Sequence, residues 1–120
     1  MSEGAEYLFV ASMNVDPAHE ATFNDVYDTE HVPYLSEVPG VLSVVRCEPQ
    51  TFSLSIGGEI REVPAPSDEP RYTALYGIES PEVLTSEAFG EAIERGRWPG
   101  QVRPHTRDRR HLLWRVTTRS

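Results

Sequence analysis

The 120-residue chain contains no lysine: its 11 basic residues are all arginine, set against 19 acidic ones. A Schiff-base lysine is therefore excluded as a catalytic device. Cys47 is the only cysteine, which rules out an intramolecular disulfide and a cysteine-rich structural zinc site. No apolar run approaches the ~20 residues needed to cross a bilayer. Residues 1–6 are acidic and lack the basic region and apolar stretch of a secretory signal, so a cytoplasmic setting is expected. No glycine-rich phosphate loop follows a strand pattern, and Gly57-Gly58 reads as a hairpin turn, so nucleotide binding has no support. A net charge of -8 would repel phosphate backbones and anionic lipids, which argues against nucleic-acid and membrane partners. The four histidines show no His-x-x-x-His spacing and no acidic calcium loop occurs, so neither a metal nor another cofactor is expected.

What is present fits one α+β domain over residues 1–120, a length that buries roughly two-thirds of the unfolded surface. Residues 7–15 form an aromatic and β-branched strand pattern. Asp16-Pro17 then signals a helix start, and Phe23, Val26, Tyr27, His31, Leu35 and Val38 follow as one apolar stripe. Pro33 cannot donate to the carbonyl of Thr29 and disfavours helical angles at Val32, so a kink or break is expected beside His31. Strand patterns recur over 41–48, 71–79 and 109–118. A hairpin occupies 52–63, and a second helix begins at Ser80-Pro81-Glu82 with Leu84, Ala88, Ala92 and Ile93 on its buried side. Residues 97–108, with Trp98 and two prolines, read as an ordered loop. The order is a ferredoxin-like βαββαβ with an antiparallel sheet and an extra hairpin between strands two and three.

The stretch Phe23-Asn24-Asp25-Val26-Tyr27-Asp28-Thr29-Glu30-His31-Val32-Pro33-Tyr34-Leu35, followed by Val38-Pro39-Gly40-Val41, resembles the first-helix signature of EthD-like dimeric α+β barrel proteins. Arg46, Tyr72-Thr73-Ala74-Leu75-Tyr76 and Ser80-Pro81-Glu82-Val83-Leu84 fit the same pattern. The tryptophan common ahead of the motif tyrosine is Val26 here. The resemblance implies a homodimer that pairs sheet to sheet and holds a small, often aromatic, ligand between sheet and helices. It specifies fold better than reaction, because such relatives include cyclases, dehydratases, decarboxylases, isomerases, cofactor-free monooxygenases and members with no known activity.

His31 stands one helical turn from both Tyr27 and Leu35 and so faces the buried side. Its imidazole can give and accept protons near neutral pH, and carbonyls freed at a helix break would favour its charged form. The plainer alternative is a structural histidine bonded to those carbonyls. Tyr27, Tyr34, Tyr72 and Tyr76 are candidates to line a pocket and orient a substrate oxygen, with core or interface packing as the alternative. Arg46 can bind a carboxylate or enolate through its planar fork, or form a surface salt bridge. His111 and Trp114 lie on opposite faces of the last strand, which favours His111 for chemistry and Trp114 for packing. Trp98 joins the substrate-binding candidates. Cys47 reads as an inert packed thiol.

The function expected is therefore a cofactor-independent enzyme that moves a proton on a small aromatic or polyketide-like metabolite, of cyclase, dehydratase, decarboxylase or isomerase type. His31 is the expected acid or base, with Tyr27 and His111 in support. The alternatives are a cofactor-free monooxygenase of the same fold, or a non-catalytic, small-molecule-binding or stress-related dimer.

Overall fold

The computed structural model describes residues 4–120; the first three residues, on which part of the targeting argument rests, lie outside the described residues. β1 (Tyr7–Val15) runs through the middle of a four-stranded sheet. It pairs with β5 (Tyr72–Ile78) on one side and β6 (Thr106–Arg115) on the other, and β2 (Val41–Cys47) lies outside β5. All pairs are antiparallel, and the order β2-β5-β1-β6 is that of a ferredoxin-like α+β fold, the fold of the dimeric α+β barrels. β3 (Phe52–Ile56) and β4 (Glu59–Val63) form the separate hairpin expected between the second and third main strands. Gly57 and Gly58 turn it with φ of 62° and 80°, a combination that twists with the strands and that side-chain-bearing residues resist.

The first helical segment departs from expectation where proline acts. Asp16 caps nothing with its side chain; Pro17–His19 form a 3₁₀ turn, and α1 (Glu20–Val26) follows. No break occurs beside His31. Val32 keeps helical angles (φ -61°, ψ -49°), and the chain instead widens into a π-helical turn over Tyr27–His31 before α2 (Val32–Ser36). Val32 N–H reaches back five residues to the Tyr27 carbonyl. A wider turn takes up the crowding from the proline ring and the bond it cannot make without leaving helical space.

Ser80-Pro81-Glu82 opens a 3₁₀ turn (Pro81–Thr85) rather than the second helix. The cap is Ser86, whose Oγ accepts the Phe89 N–H at 3.2 Å, and α3 (Glu87–Ile93) follows. Its fully buried positions are Phe89 and Ala92; Leu84, Ala88 and Ile93 pack against the core only in part. Residues 97–108 are not a loop either. Trp98–Val102 make a second π-type turn, Arg103–His105 a 3₁₀ turn, and β6 already begins at Thr106. This early start is carried by backbone pairing to β1, which the polar sequence there does not advertise.

The sheet has two unlike faces. Phe9, Ala11 and Met13 of β1 and Tyr72, Ala74, Tyr76 and Ile78 of β5 face the helices and enclose the core with Phe23, Val26, Leu35 and Val102. The other face carries Leu8, Val45 and Leu75, together with the exposed Leu112 and Trp114. The hairpin leaves Phe52, Leu54 and Ile56 exposed on one side. It projects from the body, and the radius of gyration is 16.1 Å, against about 14 Å for a compact chain of this length.

Candidate functional site

Between the helix-facing side of the sheet and the helical layer lies a cavity of about 340 Å³. Its buried end is aromatic. His31 and Trp98 stack with ring centroids 3.9 Å apart and planes 12° from parallel, and Tyr27 meets both edge-on at 5.2 and 5.0 Å. Phe9, Leu35, Tyr76, Leu84, Phe89 and Ile93 complete the apolar wall. Toward the outside the lining changes to Arg103, Arg109 and His111, and the His111 ring lies parallel to Phe9 at 5.7 Å.

The π-turn and the segment after Gly96 set the His31–Trp98 stack. Glu30, immediately before His31, accepts the Arg97 backbone N–H at 2.9 Å and its Nε–H at 2.5 Å; Arg97 immediately precedes Trp98. A second arm of Arg97 reaches Asp25 at 3.0 Å. Gly96 has φ +69°, and a Cβ there would overlap the Glu30 carboxylate, so only glycine allows this close approach. The pairing draws the Glu30 carboxyl below its ordinary value, chiefly through the backbone hydrogen bond.

His31 is 5% exposed, and its Nδ1 is buried without a hydrogen-bond partner. None of the carbonyls expected to bond Nδ1 and favour its charge does so. Burial first, and the nearby Arg103 charge second, lower its pKa to about 4. The imidazole is therefore neutral at physiological pH and can accept a proton but not donate one as imidazolium. Burial raises the Tyr27 and Tyr76 phenols above their ordinary values, and the hydrogen bond between them lowers Tyr27 and raises Tyr76 further. Both remain protonated donors.

The cavity thus gathers His31, Tyr27, Tyr76, Trp98 and His111 from the sequence-derived candidates. Four others lie elsewhere. Arg46 sits behind Tyr27, its guanidinium 4.4 Å from that ring, committed to Asp28 at 2.8 Å and Asn24 at 2.9 Å, which is the salt-bridge alternative. Tyr72 gives its hydroxyl to Glu20 at 2.5 Å, outside the cavity. Tyr34 is covered by Arg95 at 4.0 Å on the outer side of the helices. Trp114, as its strand parity requires, points away on the opposite face of the sheet and is 55% exposed. Phe89, Arg103 and Arg109 line the cavity without having been singled out. Phe89 follows from the true cap at Ser86; the two arginines lay inside a segment read as a loop or at its edge.

The other two histidines, His19 and His105, stack on each other at 3.4 Å and line no part of the cavity. Among the described residues no group of three or more His, Cys, Asp or Glu is placed to hold a metal ion, and no helix is long and apolar enough to cross a membrane.

No family model matches the sequence, and no curated protein matches it. Among solved structures the chain is similar to an MhuD mutant with two manganese protoporphyrin IX molecules bound per active site, with a TM-score of 0.59 and 16% identity over 95% of this chain and 97% of that one. It is similar also to the heme-degrader MhuD of Mycobacterium tuberculosis with two hemes bound, with a TM-score of 0.57 and 16% identity over 95% of this chain and 98% of that one. At this identity the likeness establishes the fold.

Proposed function

We propose that this chain, a member of the EthD-like group within its fold, is a cofactor-free enzyme that removes a proton from a flat aromatic or polyketide-like molecule. The resulting carbanion then reacts with dioxygen. The observation that carries the reading is the neutral His31, its unpartnered Nδ1 buried among parallel and edge-on rings. Stacking surfaces favour a planar ligand, and an apolar wall with few polar groups is the usual make-up of a small-molecule site. A volume of about 340 Å³ lies at the lower end of such sites and favours two or three fused rings over a stacked pair of porphyrins.

In this mechanism His31 takes a proton from a C–H acidified by a neighbouring carbonyl, and the imidazolium pairs with the new negative charge at short range in a dry site. Burial makes His31 a weak base while the cavity is empty; the developing anion restores its basicity. Tyr27 and Tyr76 keep their protons; one hydroxyl donates to the other, and the second is left to donate to the enolate oxygen. For a ring methylene the balance is R₂CH₂ + O₂ → R₂C=O + H₂O: two C–H bonds break, one C=O forms, and the substrate supplies all four electrons. No separate reductant is required.

The second reading, isomerase or cyclase chemistry, uses the same base but returns the proton. Anthrone, a tricyclic ketone with an acidic methylene, separates the readings. Oxygenase action consumes one O₂ per quinone formed. Exchange of the methylene protons in D₂O without O₂ uptake selects the second reading, and neither signal with intact binding leaves a binding protein. His31→Asn should lower turnover by ~10²–10⁴-fold with a smaller change in affinity. A fully active, folded variant removes His31 from the mechanism. The proposal includes a homodimer formed through the outer sheet face, since Leu112 and Trp114 otherwise remain in water.

A further inference from the structure

The acid-rich chain pairs its arginines thoroughly. Arg46, Arg61, Arg71, Arg95, Arg97, Arg103, Arg107 and Arg110 each hold a carboxylate within 4 Å. Arg119 instead bonds the Ala5 carbonyl. Among the described residues the Arg109 guanidinium has no ion pair or hydrogen bond, and it lines the cavity. Arg115, the other arginine without a partner among the described residues, does not line it.

The backbone places Arg109 there. Between Ser12 and Asn14 of β1 the register with β6 slips by one residue, and Asp108 adopts φ +55°, a left-handed angle uncommon outside glycine. The Asp108 carboxylate is held by the Asn14 side-chain N–H at 3.0 Å, which fixes the bulge. Arg109 follows it with the same strand parity as His111, on the cavity face. Of the three acidic residues that share a second, surface pocket with it, Asp108 is held by Asn14 and Glu69 by Arg110 at 2.5 Å, and Asp68 makes no ion pair with it. Arg103, also at the opening, has its guanidinium engaged by Glu94 through contacts of 3.1 and 2.6 Å.

We propose that the cavity is built for a flat aromatic carboxylate, its rings against the Trp98–His31 stack and its carboxylate paired with Arg109 at the opening. This rests on the reading of the cavity as a small-molecule site and adds the charge of the ligand. An aromatic anion supplies the partner that Arg109 lacks within its own chain, and a guanidinium fork matches a carboxylate in two bonds. It also brings to the cavity a negative charge, which favours protonation of His31 where Arg103 opposes it.

The test uses 2-naphthoic acid and 2-naphthamide, equal in shape and different in charge, with quenching of Trp98 fluorescence as the signal. The acid should bind at least about tenfold more tightly than the amide at low salt, the scale of one charge-assisted contact. The preference should shrink as salt is added. Arg109→Gln should abolish the preference by weakening the acid alone, and Arg115→Gln should leave it intact. Equal affinities in the wild type, or a preference that survives Arg109→Gln, would overturn the charge assignment while leaving the small-molecule reading standing. Binding of neither probe would overturn both.

Discussion

Acidification tests the burial of His31 directly. Its pKa in the folded chain, about 4, lies below the ordinary 6.5. As pH falls, the unfolded chain takes up the proton first. The stabilisation is present in full above 6.5, is lost progressively as pH falls toward 4, and changes no further below that. A displacement of 6.5 to about 4 corresponds to about 3 kcal/mol in total, of which about 2 kcal/mol is lost between pH 7 and pH 5. The lowered carboxylates Glu30, Glu82 and Glu94 act in the same direction, but only as pH falls below their ordinary 4.5. Urea unfolding of wild type and His31→Asn across pH 5–7 isolates the effect as a difference in slope, whatever the variant's absolute stability. The wild type should lose stability across that window and the variant markedly less. Parallel curves, or an imidazole titrating near its ordinary value by NMR, would refute the buried, neutral histidine and the base role with it.

Trp98→Ala should cost about 3–5 kcal/mol as a buried aromatic truncation. By admitting water beside His31 it should also raise that residue's pKa toward its ordinary value; an unchanged NMR titration midpoint would show that Trp98 is not what keeps the imidazole dry. Sedimentation at micromolar concentration should give a dimer, and Trp114→Glu, which puts a charge on the outer sheet face, should shift it to monomer. A wild-type chain that sediments only as a monomer would remove the dimer.

The sequence made the strands legible because their patterns are long and bounded by turn residues. The 7–15 strand, the hairpin at Gly57-Gly58 and the facing of Tyr72, Ala74 and Tyr76 all follow from alternation. Proline was harder to read. Pro33 announced a distortion at the right place, but the choice between a break and a widened turn depended on the packing of Tyr27 and His31 below it. Within the cavity, the helix-borne Tyr27 and His31 were visible as a stripe. Arg109 shares the parity of His111 in the strand pattern from 109, but nothing local set it apart from the arginines around it; the contacts that occupy its neighbours, Asn14 to Asp108 and Arg110 to Glu69, are long-range. Arg46 and Tyr72 have the right chemistry for a ligand site, and nearby carboxylates claimed both.

The clamp between Glu30 and Arg97 bears on how this cavity could be re-engineered. Each member sits one position before a member of the ring stack, so a single ion pair fixes the spacing of two backbones and, with it, the plane a ligand meets. Grafting a different segment onto 97–108 would discard one half of that spacer along with Trp98. A chimera would then leave His31 without its stacking partner and with nothing to hold the opposite wall in register. New specificities are therefore better sought by changing side chains at the opening, on β6, than by exchanging the segment that forms the wall.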